Sequence, residues 1–351
     1  MRLAKPLVLR YRLQDTKQPQ RAENSSEETS MNIAGTSVAA AALLLAACVH
    51  AQEYPTRPVS VVVPNPPGGM NQIHAQPFSV IWERLTKQAA PVVNRPGASS
   101  ALGTAYVVAQ QPADGYTLLV STGNLHQIFE KDKLYGAPTA YSLDQVEFLA
   151  LLSADPIIMV AHPSLPVKTA KDVAALARSK PNELVFSSSG AYGVTHTPVQ
   201  LFLDAAKAKM RHLPTTGGGP AITQALGGHS QLTTGGPAAV YPHVKSGKLR
   251  AIASYGVKPH PALPDLPLMK NSGFDIESYL WVGIFTRTGV PAPVLTRLRQ
   301  LIGQVAADPQ FRQALENVQV VPDYRDSAEF RKFFDADHKR MAVAIKSIGK
   351  L

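Results

Sequence analysis

Residues 59–71 read Val-Ser-Val-Val-Val-Pro-Asn-Pro-Pro-Gly-Gly-Met-Asn. A β-branched run ends at a proline and gives way to a Gly-Gly loop that opens a helix. Strand, glycine loop and helix N-terminus together form an anion cradle. The first N–H groups of a helix lack intrahelical acceptors, the helix dipole favours negative charge, and glycine lets a ligand approach the backbone. Three further loops share this character: Ser121-Thr122-Gly123, Ser187-Ser188-Ser189-Gly190 and Gly217-Gly218-Gly219. If the four converge, they make a pocket rich in N–H and hydroxyl donors and poor in charge, which suits carboxylates. Each loop taken alone reads better as the ordinary Gly/Ser punctuation of an α/β chain.

Catalytic chemistry is poorly supplied. The chain has no Gly-x-Ser-x-Gly elbow, no P-loop and no His-Glu-x-x-His. The loops offer serines without a clear base. His74, His126 and His196 lie near the loops in sequence, where satisfied polar packing fits them better than a ligand contact. No two histidines have metal-ligand spacing beside a carboxylate, so neither a metal nor a cofactor is expected. Met70, Phe186 and Tyr192 could wall an aromatic ligand, although core packing suits Phe186 better.

The elements that must position these loops alternate in type. Strands are expected over 59–64, 91–94, 116–120, 147–152, 156–161, 184–187 and 249–254. Helices are expected over 100–110 and 169–179, from Thr197 and from Gly219, and over 291–305 and 327–347. Pro77 falls in an otherwise helical stretch, so that helix is expected to begin near Gln76 rather than run through it. Thr197-Pro198-Val199-Gln200 reads as a capping box. Such alternation predicts α/β architecture with mostly parallel sheets and ligands bound beyond the carboxyl ends of the strands.

The chain has 351 residues, a net charge of +10 and one cysteine. Residues 34–49 form an uncharged apolar stretch, short for a membrane span and followed by small residues. Val49-His50-Ala51 fits cleavage after Ala51, giving an exported protein of the periplasm. Leu45-Ala46-Ala47-Cys48 alternatively fits lipid anchoring through Cys48. The segment before Met31 is too charged for a signal. Met31 therefore reads as the start, 31–51 as a signal peptide, and 1–30 as an untranslated or disordered leader. Without Cys48 the remainder has no thiol chemistry. Its length suits two domains. The basic residues are scattered and do not interleave with aromatics, which argues against nucleic acid.

Ordered motifs carry a family resemblance. They are Tyr54-Pro55-Thr56-Arg57-Pro58, Pro66-Pro67-Gly68-Gly69, Asn94-Arg95-Pro96-Gly97-Ala98 and Ala113-Asp114-Gly115-Tyr116-Thr117-Leu118-Leu119. Downstream come Gly219-Pro220-Ala221, Ala225-Leu226-Gly227-Gly228, Gly247-Lys248-Leu249-Arg250-Ala251, Pro261–Pro267 and Trp281-Val282-Gly283-Ile284-Phe285. The set resembles the Bug-type extracellular solute receptors of tripartite tricarboxylate transporters. The resemblance implies a type II periplasmic binding protein, monomeric, with two lobes joined by two crossover segments near Asp155-Pro156 and Trp281-Val282. Lobe 1 would comprise 53–155 and 282–351, and lobe 2 would comprise 156–281. The lobes would close on a small carboxylate and present it to large and small permease subunits. Implied ligand contacts are Gly68, Gly69, Met70, Ser121, Thr122, Ser188, Ser189, Thr215, Thr216 and Gly217, with Asn71 and Thr195 beside them. Trp281 would pack at the hinge.

Departures from the family pattern are informative. Gln72 stands where the family usually has aspartate, Gln76 where it has arginine, Thr215-Thr216 where it often has Tyr-Lys, and Gln231 where it has aspartate. Losing an aspartate beside the pocket removes a partner for an ammonium group and a repulsion against carboxylate. The expected ligand is therefore a di- or tricarboxylate without an ammonium group, aromatic ones included. A sensor that signals to a membrane kinase, or an exported hydrolase, are the alternatives.

Overall fold

The computed structural model describes residues 54–351. The expected leader, signal peptide and Cys48 lie outside the described residues. The strands are β1 (Ser60–Val63), β2 (Val92–Asn94), β3 (Thr117–Ser121), β4 (Val146–Pro156), β5 (Ile158–Ala161), β6 (Val185–Ser188), β7 (Arg211–Pro214), β8 (Leu232–Gly235), β9 (Arg250–Ser254), β10 (Tyr279–Arg287) and β11 (Pro322–Arg325). The α-helices are α1 (Met70–Thr86), α2 (Ala101–Ala105), α3 (Asn124–Tyr135), α4 (Ala170–Ser179), α5 (Thr197–Ala205), α6 (Gly218–Leu226), α7 (Pro237–Lys245), α8 (Ala292–Ala307), α9 (Pro309–Glu316) and α10 (Ser327–Ile348).

Two sheets organise the chain. One has the order β11-β4-β10-β3-β1-β2, the other β7-β6-β8-β5-β9. Helices cover both faces of the first sheet, and its strands accordingly read as apolar runs. Val61, Val63, Leu118 and Val120 face one apolar cluster with Phe78, Trp82 and Leu301. Val62 and Leu119 face the opposite cluster with Trp281, Phe285 and Phe334. The period-2 alternation of a strand thus divides between two cores instead of between core and water.

The sheets are mixed, not mostly parallel. β1 pairs in parallel with β2 and β3, and β6 with β7 and β8; the pairings of β4, β5, β10 and β11 are antiparallel. The cause is the crossover. β4 leads out of the first sheet and continues past Ile157 into β5 of the second, whereas β10 leads back. Two strands that cross in opposite senses and lie side by side must pair antiparallel. At the crossing Tyr279 lies opposite Pro156 and Leu280 opposite Asp155. Ile157 donates its N–H to Ser278 O, and its carbonyl accepts from Tyr255 N–H.

α1 corrects a second expectation. It begins at Met70 and runs through Pro77. Proline inside a helix costs about 3 kcal/mol through its missing N–H and its ring clash. The buried stripe on both sides of it, including His74, Ala75, Phe78, Ile81 and Trp82, holds the helix together. Burial of each large side chain contributes about 2 kcal/mol, enough to offset the break. Thr197 is not a cap either: it is the first residue of α5, and its hydroxyl donates to Gly193 O and Gln127 Oε1.

Candidate functional site

Four helices begin at one cleft. α1, α3, α6 and α7 follow directly from loops after β1, β3, β7 and β8. Their N-cap residues are Gly69, Gly123, Gly217 and Gly236, and none of these helices has a side-chain cap. Three helices elsewhere are capped by side chains: Thr169 accepts from Asp172 N–H on α4, Asp308 from Gln310 N–H on α9, and Asp326 from Ala328 and Glu329 N–H on α10, whereas α2, α5 and α8 are not. The contrast is chemical. A glycine cap leaves first-turn N–H groups for an external acceptor, whereas a Ser, Thr or Asp cap consumes them; this applies most fully to α1 and α6, since on α3 Thr122 accepts from Asn124 and Leu125 N–H and α7 begins with Pro237, which has no N–H.

Between these helix ends lies a narrow cleft of about 50 Å³. Pro66, Gly69, Met70, Thr122 and Asn124 contribute from the first-sheet side, and Ser189, Thr195, Gly218, Gly219, Gly235 and Gly236 from the other. Among the described residues, no Asp, Glu, Lys, Arg or His lines the cleft, and no Phe, Tyr or Trp. An anion here would be held by dipoles and hydrogen bonds alone, and an aromatic ligand would find no ring to stack on.

Of the residues expected from sequence, Gly69, Met70, Asn71, Thr122, Ser189 and Thr195 line the cleft. Gly68 stands just outside, its carbonyl against Gly219. Ser121 lies behind the wall, fully buried, with its hydroxyl unpartnered. Ser188 Oγ is 2.7 Å from His212 Nε2, and Thr215 Oγ1 donates to Ser188 O and Gly217 O, so both brace the loop rather than face the space. Thr216 is exposed, and Gly217 packs against Pro66. Gln231 is remote: its Oε1 accepts from Val185 N–H at the far end of β6. Gln72 lines the cleft, its Oε1 taken by Asn94 Nδ2–H.

Sequence reasoning missed Asn65, Asn124 and the Gly235-Gly236 pair as wall residues. Thr234-Gly235-Gly236-Pro237 repeats the grammar of the first glycine loop, with proline placed at a helix start. That signal becomes readable only when β8 is recognised before it. Asn65 and Asn124 belong to a buried network. Val194 N–H donates to Asn124 Oδ1, which fixes that amide so that its Nδ2–H points at Ser100 Oγ. Asn65 Nδ2 also reaches Ser100 Oγ, and Asn71 Nδ2 reaches Asn65 Oδ1 at 2.6 Å. Asn71 Oδ1 is left buried without a partner. Turning the Asn65 and Asn71 amides over together keeps each contact, lets the Ser100 hydroxyl donate, and exchanges that unpaired oxygen for an unpaired NH2. Ala98, Ser99 and Ser100 hold φ values of 46°, 52° and 88° to bring Ser100 into this network, strain that side chains seldom accept outside functional loops.

The histidines do not reach the cleft. His74 binds Met70 O and Ser153 Oγ, and burial pushes its pKa down to about 4. His126 lies 3.0 Å from Asp337 Oδ2, which also accepts from Trp281 Nε1–H at 2.7 Å. Burial alone would raise the Asp337 carboxyl, but the hydrogen bonds from His126 and Trp281 hold it down to about 2. Trp281 is therefore core, packed against Phe330 and Phe334. Phe186 is core as well, stacked on His212. Tyr192 is buried with its hydroxyl bound to Tyr135 and Gly349 O. Among the described residues, no three His, Cys, Asp or Glu side chains cluster to hold a metal.

The sequence pattern of the family described as "Tripartite tricarboxylate transporter family receptor" matches residues 79–350. The chain belongs to this family of receptors. It is 26% identical over 306 residues to Protein BugT of Bordetella pertussis, covering 87% of this chain and 93% of BugT. Among solved structures the receptor resembles Rpa4515 of R. palustris, solved with adipate, at 23% identity and TM-score 0.78, covering 84% and 98% of the two chains. It also resembles MatC of Rhodopseudomonas palustris, solved with bound malate, at 22% identity and TM-score 0.77, covering 83% and 100%. The receptor has the two-lobed α/β fold of periplasmic binding proteins.

Proposed function

We propose that this receptor captures a small aliphatic dicarboxylate in the cleft and delivers it to a tripartite tricarboxylate-type permease with one large and one small membrane subunit. The observation that carries this reading is the convergence of four glycine-capped helix N-termini on a cleft without charged side chains. Two carboxylates can each be held at different helix ends by main-chain N–H groups. The absence of a wall carboxylate, with Gln72 tied to Asn94, leaves an ammonium group without a counter-charge. Relatives of the same fold solved with adipate and malate support the ligand class, and the two differ in chain length and hydroxylation. Asn71, able to present either amide end, fits both.

The two sheets act as lobes, 53–155 with 282–351 against 156–281, and close by bending the paired crossover segments. Location in the periplasm, release of the signal before Gln52, a monomeric state and the lack of catalysis belong to the same reading. Titration calorimetry of residues 52–351 against C3–C6 diacids, citrate, benzoate, aspartate and glutamate tests it. One-site binding of an aliphatic diacid, with amino-acid binding at least tenfold weaker, is the expected result. Tight glutamate or aspartate binding with none to diacids would sink the proposal.

A further inference from the structure

The thioether of Met70 crosses the cleft. Met70 begins α1 on the first-sheet side, is 6% exposed and lines the space. On the far side stands Gly236, the N-cap of α7. A Cβ placed on Gly236 would lie 3.3 Å from Met70 Sδ, 3.5 Å from Cε and 3.6 Å from Cγ. Gly236 has φ −70° and ψ 157°, a conformation open to any L-residue, so the backbone does not demand glycine there. The thioether does, because a Cβ would press on its sulfur. His74 fixes the main chain beneath, with Nδ1 2.8 Å from Met70 O and Nε2 2.7 Å from Ser153 Oγ. Movement at this position is thus confined to the side chain.

The α1 and α6 ends are open by contrast. A Cβ on Gly69, the N-cap of α1, or on Gly218, the first residue of α6, would meet nothing within 4 Å. The cleft therefore divides. Toward α1 and α6, first-turn N–H groups face free space. Toward α7, Pro237 supplies no N–H, the thioether covers Gly236, and Ile222, Ala239 and Leu280 add apolar wall. A carboxylate gains little at that end, and a longer hydrocarbon chain can extend into it only by displacing the thioether. In a cleft of about 50 Å³, the atoms of one side chain decide which chain lengths fit.

We propose that Met70 is a length gate: its thioether closes the α7 end of the cleft and selects short diacids, with three or four carbons, over six-carbon ones. This inference rests on the diacid reading above and names the residue that sets the upper length. Titration calorimetry of residues 52–351 with malonate, succinate and adipate tests it. The unsubstituted protein should bind succinate at least tenfold more tightly than adipate, since one methylene too many in a fitted pocket costs roughly 10–200-fold. Met70→Ala removes Cγ, Sδ and Cε, about the bulk of the methylenes by which adipate exceeds succinate. It should reduce the preference for succinate at least tenfold. Met70→Leu is close to methionine in volume and should keep the preference. Circular dichroism and thermal unfolding check that both variants fold. A preference unchanged in folded Met70→Ala, lost equally in Met70→Leu, or absent from the unsubstituted protein overturns the gate while leaving the diacid reading intact. No binding of any of the three diacids overturns that reading and the gate with it.

Discussion

At the scale of single residues, the side chains with the most chemical character are spent on structure. Trp281 is the most conspicuous aromatic in the ordered motifs, and its place near a crossover points to the hinge or the ligand. Its indole N–H instead completes the Asp337 carboxylate, 2.7 Å away, in a core shared with Phe330 and Phe334. Trp281→Phe keeps most of the ring packing and deletes one donor to a buried charge, a loss of about 2 kcal/mol. Urea unfolding should show that loss, with diacid affinity unchanged; a large drop in affinity at unchanged stability would place Trp281 in recognition instead. The cleft residues have the opposite character. They are amides, hydroxyls and glycines, residue types too common to stand out singly. Asn65 and Asn124 escape sequence reading because their roles depend on Ser100, brought to them by a strained loop that no local pattern announces.

At the scale of elements, the glycine caps set stability against binding. Gly69 has φ −94° and ψ 174°, the extended conformation of an N-cap, and a Cβ there would meet nothing within 4 Å. Serine fits that position and can accept from the first turn of α1. Gly69→Ser should therefore add a few tenths of a kcal/mol to stability, since glycine is itself a fair cap, while weakening diacid binding about tenfold. Thermal unfolding and calorimetry together check this, and a serine variant that binds diacids normally would show that α1 does not hold the ligand. Elements built from local signals are legible in sequence: β1, β3, β6, α4 and α8 fall close to the ranges expected for them. The misses share a cause. β7, β8, β10 and β11 are short or lie in mixed neighbourhoods, and α1 survives an internal proline only because the tertiary core grips both halves. Sheet direction is not legible in the same way, because alternation of strands and helices says nothing about two segments that cross between sheets.

At the scale of the molecule, buried neutral histidines make the fold acid-sensitive. Burial lowers His74 to about 4; burial and then the neighbouring His212 lower His196 to about 3. The unfolded chain takes up these protons near pH 6.5. The stabilisation is thus complete above about 6.5 and is lost as pH falls toward 4 and then 3. Lowering a pKa tenfold in proton affinity corresponds to about 1.4 kcal/mol, so His74 alone accounts for about 3 kcal/mol between pH 6.5 and 4. Urea unfolding from pH 7 to 4 should show falling stability, with a shallower slope in His74→Gln; pH-independent stability would contradict the assignment. The four glycine caps also have a bearing on descent. They come from segments near residues 69, 123, 217 and 236, so recognition is spread across most of the chain and made largely of main chain. Any residue except proline supplies an N–H, and sequence can therefore drift far while the site keeps its preference for anions. The few wall side chains that discriminate between anions, Asn65, Asn71, Gln72 and Asn124 among them, can then change independently of the rest. Receptors of this architecture should exchange one diacid for another through a handful of substitutions, and overall identity should be a poor guide to which diacid each one takes.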